Sequence, residues 1–266
     1  MSAETIRLEG VTKEFTLRYH RTFKQVTVAL AKGRKVSDTF RAVDDVSFTV
    51  SAGESIGLMG LNGSGKSTLL KMINGVMRPD SGTVRTRGRI AGLIATGAGF
   101  HPQLTGEDNI RLNAAILGMS EREIDRKYDE IVAFSEIDTK FLKTEVGHYS
   151  SGMSARLGFS VAIHVDSEIF LADEVLAVGD RPFKKKCLAK MEEVRDSGRT
   201  LFYVSHAAGS VRRMCTRVLV LQKGQLVFDG DVNEGIKLLK YDDSREENEP
   251  DRDDETDMDE ELGADI

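Results

Sequence analysis

SIGLMGLNGSGKST, residues Ser55 to Thr68, is the stretch on which the reading of the whole chain turns. It begins as a short apolar run, the pattern of a strand buried on both faces, and breaks into a glycine-rich turn. KSTLLKMINGV follows with helical period, and Gly75 stands near its stop. The turn fits G-x-x-x-x-G-K-[ST] and has the flanking strand and helix that this pattern requires. Gly60, Gly63 and Gly65 leave the backbone free to wrap its N–H groups around phosphate oxygens, with Asn62 and Thr68 in the same cradle. Lys66 supplies a compact positive charge for the β- and γ-phosphates, and Ser67 offers a hydroxyl to Mg²⁺.

Working outward, EIFLADE (Glu168–Glu174) and TLFYVSH (Thr200–His206) read as two more buried strands separated by helical stretches. Together with the first they predict an α/β fold with a parallel sheet flanked by helices. Asp173, at the end of its strand, reads as a Mg²⁺ partner, directly or through water. Glu174 beside it is placed to orient or deprotonate an attacking water. His206 ends its strand on the same edge, within reach of a γ-phosphate. RVLVLQKGQLVFDG reads as a hairpin turning at Lys223-Gly224. VSFTVSAGE and SGTVRTRGRIAGLI are expected to add antiparallel strands elsewhere. Between them, LTGEDNIRLNAAILGMSEREIDRKYDEIVAFSEI has helical period and an N-cap at Thr105, which predicts a helical lobe over about residues 100–165.

HYSSGMSARLGFSVA (His148–Ala162) poses a question of its own. Met153, Leu157 and Val161 recur at helical spacing behind Ser150-Ser151-Gly152. A helix start of this kind is an anion site, because its first N–H groups have no partner and the dipole is positive there. No lysine or metal-binding carboxylate adjoins it, and serine at such a start also serves as an ordinary cap.

Composition sets the bounds. The 266 residues are enough for one large domain or one domain with a sub-lobe. No apolar run reaches the roughly 18 residues of a membrane span. MSAETIRLEG lacks the pattern of a signal peptide. Cys187 and Cys215 make no disulfide framework, and the histidines show no metal-ligand spacing with them. The net charge of −6 conceals an asymmetry: residues 242–266 hold 14 Asp/Glu against 2 Arg, so the remainder is net basic. Such a tail has too little apolar surface to offset its ordering entropy and reads as disordered, leaving residues 1–241 as the folded part.

The order of cradle, Ser-Ser-Gly helix start, Asp-Glu strand and strand-end histidine resembles the nucleotide-binding subunit of ABC transporters over about residues 5–235. That resemblance implies a P-loop NTPase core of the ABC ATPase type, with an antiparallel β subdomain and a helical subdomain, and ATP with Mg²⁺ as its ligands. YSSGM stands where the family has its Leu-Ser-Gly-Gly-Gln signature. The family works as a head-to-tail homodimer with two ATPs between the subunits. Ser151 and Gly152 would then face the γ-phosphate of ATP held by the partner's cradle, which answers why no lysine is near. AVGD, Ala177–Asp180, takes the place of the family's D-loop. Phe15, in VTKEF, matches the adenine-stacking aromatic, with Phe40 as its competitor. One departure stands out: Thr96 occupies the position of the glutamine that usually reaches the metal.

GAGFHPQLTGEDNI, YSSGMSARLGFS and ADEVLAVGD together resemble one branch, the ATPases of exporters for lipid-linked polysaccharides such as O-antigen and teichoic acid. The branch implies a polytopic transmembrane permease as partner, which handles the lipid-linked glycan. It also implies a peripheral place on the cytoplasmic face of the inner membrane, and no nucleic acid. The chain runs into its acidic tail where many members carry a carbohydrate-binding domain, so it resembles the short type seen for teichoic acids and galactan. A basic insert over about residues 16–41, with Tyr19, Phe23, Val26 and Leu30 at helical spacing, is expected at a membrane surface or a partner's helix. The alternatives are another transporter's ATPase, a soluble ABC ATPase of repair or translation, or a P-loop kinase. Repair members need a long coiled coil before the signature, translation members usually two cassettes, importers more often keep the glutamine, and a kinase has no use for YSSGM.

Overall fold

The structure is a computed structural model and describes residues 3–18, 37–92, 99–173 and 180–239. Glu4–Arg18 (β1) and Ser37–Ser51 (β2) pair antiparallel from end to end. Ser81–Thr86 (β4) joins the other edge of β1, so the first sheet has the order β2-β1-β4. In β2, buried Val46, Phe48 and Val50 alternate with exposed Asp45, Ser47 and Thr49. This is the period-two pattern of a sheet with one covered face.

The second sheet contains Ser55–Met59 (β3), Ile90–Gly92 (β5), Ile169–Ala172 (β6), Thr200–Val204 (β7), Arg217–Gln222 (β8) and Gln225–Asp231 (β9). Its order is β5-β6-β7-β3-β8-β9, parallel throughout except for β9. Both faces are covered, which is why the strands read as continuous apolar runs. Phe170, Leu201, Tyr203 and Val218 point to the helices on one side, while Ile169, Leu171, Phe202 and Leu219 point to the first sheet and the helix after the cradle. Lys223 and Gly224 both take left-handed φ (49° and 85°), the geometry of a tight hairpin turn between β8 and β9.

One strand departs from its expected place. Ser81–Thr86 is antiparallel as read, but Ile90–Gly92 leaves that sheet and pairs parallel with β6, Ile90 opposite Ile169. The crossover passes Gly88 and Arg89, whose backbone N–H donates to Glu168 Oε2 at 2.7 Å and whose carbonyl accepts from the N–H groups of Glu168 and Ile169.

The helices are Lys66–Ile73 (α1), Gly106–Ile116 (α2), Glu121–Ser135 (α3), Thr139–Leu142 (α4), Ser151–Ile163 (α5), Arg181–Asp196 (α6), Ala208–Met214 (α7) and Val232–Leu238 (α8). Helices α2 to α5 make up the segment expected as a helical lobe. Thr105 caps α2 by accepting from Asp108 N. Ser120 and Glu123 form a reciprocal capping box on α3. The Glu123 carboxylate also takes Arg89 Nη1 at 3.1 Å and ties α3 to the entrance of β5. The N–H of Ser120 and the Arg89 guanidinium hold the Glu123 pKa down at about 2. Helix α5 is amphipathic only at its start: from Leu157 to Ile163 every residue is buried.

β1 runs through Arg18 and β2 starts at Ser37, so the outer parts of the basic insert are paired strand. Tyr19, Phe23, Val26 and Leu30 lie outside the described residues, as do Thr96 and the acidic tail. Among the described residues no helix is long and apolar enough to cross a membrane.

Candidate active site

The cradle forms where β3 runs into α1, at the carboxyl ends of the parallel strands, the edge at which open α/β sheets place their ligands. Two glycines are indispensable to its shape. A Cβ on Gly60 (φ 152°) would meet Leu221 O at 2.3 Å and Ser64 Oγ at 2.6 Å. A Cβ on Gly65 (φ 108°) would meet Ala42 O at 2.1 Å. Gly75, at φ 74°, stands just past the Asn74 cap and ends α1.

A cleft of about 220 Å³ opens over this loop. Asn62, Gly63, Gly65, Lys66, Ser67, Thr68 and Asp173 line it. Gly60 is buried and is not in the lining. The aromatic residue in the lining is Phe40, not Phe15. The two are cross-strand partners, Phe15 on β1 opposite Phe40 on β2, and Phe40 stands 47% exposed at the rim while Lys13 lies over the Phe15 ring at 5.9 Å. Phe40 therefore lines the cleft and Phe15 does not.

Lys66 is buried, and its Nζ donates to Gly60 O at 2.6 Å and Leu61 O at 3.2 Å. Burial pushes its pKa down, opposed by the charge of Asp173. Burial likewise pushes the Asp173 carboxyl up, opposed by Lys66 and Lys71. Both groups are partly desolvated, and the charge of each favours the charged form of the other.

Ser64 was not singled out in the sequence, yet it carries a specific signal. Its Oγ is buried with no hydrogen-bond partner and its residue lines the cleft. An orphaned hydroxyl in a loop of turned backbone fits a phosphate oxygen. Ser67 and Asp173 in one lining supply the hydroxyl and carboxylate oxygens that suit Mg²⁺. Glu174 lies outside the described residues.

The remaining candidates are not in this cleft. His206 is exposed on the loop after β7. Ser151 is exposed and Gly152 partly so at the first turn of α5. Among the described residues, outside its chain neighbours and helix backbone, Ser150 Oγ alone comes within 4 Å of a Cβ placed on Gly152, at 3.8 Å. Ser150 itself is the cap, accepting from Met153 N at 3.2 Å. A larger cleft of about 430 Å³ lies at the opposite ends of the strands, with Arg87, Ser167 and Arg199 in its lining, and shares no residue with the cradle.

Comparison with known proteins gives this arrangement its relatives. The ABC transporter family pattern matches residues 43–177. The chain is 43% identical to the ABC transporter protein AbcA of Aeromonas salmonicida over 231 residues, 87% of this chain and 74% of that one. It is 41% identical to the O-antigen export system ATP-binding protein RfbB of Klebsiella pneumoniae, covering 88% of this chain and 97% of the relative. It is 39% identical to the teichoic acids export ATP-binding protein TagH of Staphylococcus haemolyticus, over 89% and 88%. Among solved structures, a dimeric ATP-binding cassette in a post-hydrolysis state with ADP and Pi aligns with TM-score 0.67 at 21% identity, over 85% of this chain and 98% of that one. The ATP-binding subunit of an ABC transporter aligns with TM-score 0.69 at 22% identity, over 91% and 97%.

Proposed function

The chain belongs to the ABC transporter ATP-binding family, and we propose that it is the ATP-hydrolysing subunit of an exporter for a lipid-linked cell-envelope polysaccharide of the O-antigen or teichoic acid class. The observation that carries the reading is the split between its two anion sites. The cradle at Gly60–Thr68 has a lysine, a carboxylate and an orphaned hydroxyl in one lining, while the Ser151–Gly152 helix start is not part of that lining. Two copies arranged head to tail complete one site from both halves, and the dimeric cassette among the structural relatives has the same fold.

In this reading Lys66 leaves the carbonyls of Gly60 and Leu61 for the β- and γ-phosphates, and Ser64 Oγ gains its missing partner. Phe40 stacks on the adenine from the rim. Ser67 and Asp173 hold Mg²⁺, which when bound neutralises the charge on the phosphates. Glu174 takes the proton of the attacking water, and His206 hydrogen-bonds the γ-phosphate. The partner's Ser150 hydroxyl and the N–H groups of its first α5 turn close over that phosphate from the other side. Phosphate charge thus draws the two copies together, and hydrolysis loosens them. The force is passed to a polytopic permease that handles the glycan, which places this chain peripherally at the cytoplasmic face of the membrane. The names of RfbB and TagH, both export ATPases, support the choice of cargo class.

The test is genetic and biochemical together. Removing the gene is expected to strip the exported glycan from the cell surface, the intact chain to restore it, and Lys66→Ala to fail. The tagged chain should purify from membranes with a polytopic subunit. Normal surface glycan in the deletion strain would overturn the proposal.

A further inference from the structure

Helix α5 begins with Ser151 and Gly152, and Arg156 follows on the same helix with its side chain mostly buried. Its Nη2 donates to Asp180 Oδ1 at 2.7 Å. Its Nη1 lies 3.5 Å from Glu136 Oε2. Its guanidinium carbon sits 4.7 Å from the centre of the Phe183 ring. One arginine therefore joins three elements: α5, the residue that ends α3, and the start of α6.

The partners are themselves fixed. The Asp180 oxygen that takes Arg156 also accepts from Phe183 N at 3.3 Å and so caps α6. Phe183 meets Phe134 and Phe159 edge-on, at 5.8 and 6.3 Å between centroids, and those two stack at 6.0 Å. Lys186 Nζ binds Glu136 Oε1 at 2.8 Å and Phe134 O at 3.0 Å, and lies over the Phe134 ring. An isolated exposed ion pair would hold little. Here a planar, forked cation lies over a fully buried ring, hydrogen-bonds one carboxylate and ion-pairs with a second, a task lysine does less well.

We propose that Arg156 is a positioning residue for ATP hydrolysis: it locks the first turns of α5 to the start of α6, so that the Ser151–Gly152 helix start and Asp180 meet the partner copy as one rigid face. The inference rests on the two-chain reading of the ATP site, because neither feature touches the chain's own cradle. Misplacing such a face by a fraction of an ångström lowers turnover while leaving nucleotide capture at the cradle alone.

The experiment uses the full chain with Arg156→Gln, Arg156→Lys, Asp180→Asn and the double variant Arg156→Gln/Asp180→Asn. Arg156→Gln is expected to lower kcat about tenfold with little change in the KM for MgATP, and Arg156→Lys to recover part of the loss. The double variant should be no slower than Arg156→Gln alone, since the two residues act as a unit. In the lone chain without nucleotide, amide exchange at Met153 and Ser154 should quicken in both single variants. Wild-type kcat in Arg156→Gln, fully additive losses in the double variant, or unchanged exchange would each overturn the proposal. The exchange result is read in single chains and so stands apart from the two-chain reading, which would fail instead if the wild type formed no nucleotide-dependent dimer.

Discussion

Replacing Phe40 by alanine separates the two aromatic candidates at the cleft, and the structure sets the size of the effect. Phe40 is 47% exposed at the rim of a cleft whose floor is the phosphate loop, while Phe15 is its cross-strand neighbour and does not line that cleft. Stacking of one base on an aromatic ring is worth about 1–3 kcal/mol, so Phe40→Ala should weaken ATP binding about 5- to 150-fold. Phe15→Ala removes only a cross-strand contact that steadies Phe40. Such pairs contribute about 0.2–1 kcal/mol, which limits the loss to about fivefold. Titration calorimetry with a slowly hydrolysed ATP analogue measures both variants. Inorganic tripolyphosphate, which has no base to stack, provides the control, and its affinity should be the same for Phe40→Ala and wild type. A larger loss from Phe15→Ala than from Phe40→Ala, or an equal loss for tripolyphosphate, would refute the assignment.

Other outcomes follow from the same geometry. Glu174→Gln is expected to bind MgATP and hydrolyse it at least about 10²-fold more slowly, with the nucleotide-bound dimer persisting on size exclusion. Near-wild-type turnover would remove Glu174 from its role. Glu123, held at about 2 by Ser120 and Arg89, contributes stability that is present above its ordinary value of 4.5 and lost as pH falls through about 2. The melting temperature of wild type should therefore exceed that of Glu123→Gln at neutral pH, and the gap should close between pH 4.5 and 2. A gap that is constant across that window would mean the carboxylate charge is not what holds α3 to Arg89.

The cradle was legible from sequence because its chemistry is local: glycines, lysine and serine act through the backbone of one turn. The parallel strands were legible because a sheet covered on both faces leaves unbroken apolar runs such as IFLA and TLFYV. What was misread depends on partners distant in the chain. Ile90–Gly92 is three residues long, and nothing in three residues distinguishes an antiparallel neighbour from β6. Phe15 and Phe40 share one cross-strand position, so composition could not say which of them reaches the cleft. The amphipathic reading of α5 fails from Leu157 onward because Phe134 of α3 and Phe183 of α6 pack against its own Phe159. The bond from Arg156 to Asp180 spans 24 residues and leaves no periodic trace. Ser64 stands beside more conspicuous neighbours, and only its burial without a partner reveals what its side chain can do.

The central claim is that one ATP site is built from two chains, and mixing two inactive variants tests it most directly. Lys66→Ala disables the cradle of its own chain and leaves its Ser151–Gly152 turn intact, while Ser151→Arg does the reverse. Each alone should hydrolyse almost no ATP. Mixed in equal amounts, half of the dimers pair one of each and carry one intact composite site of two, so turnover should recover to about a quarter of wild type. If both halves of the site lay within one chain, no pairing could restore it, and a mixture as inactive as its components would contradict the account.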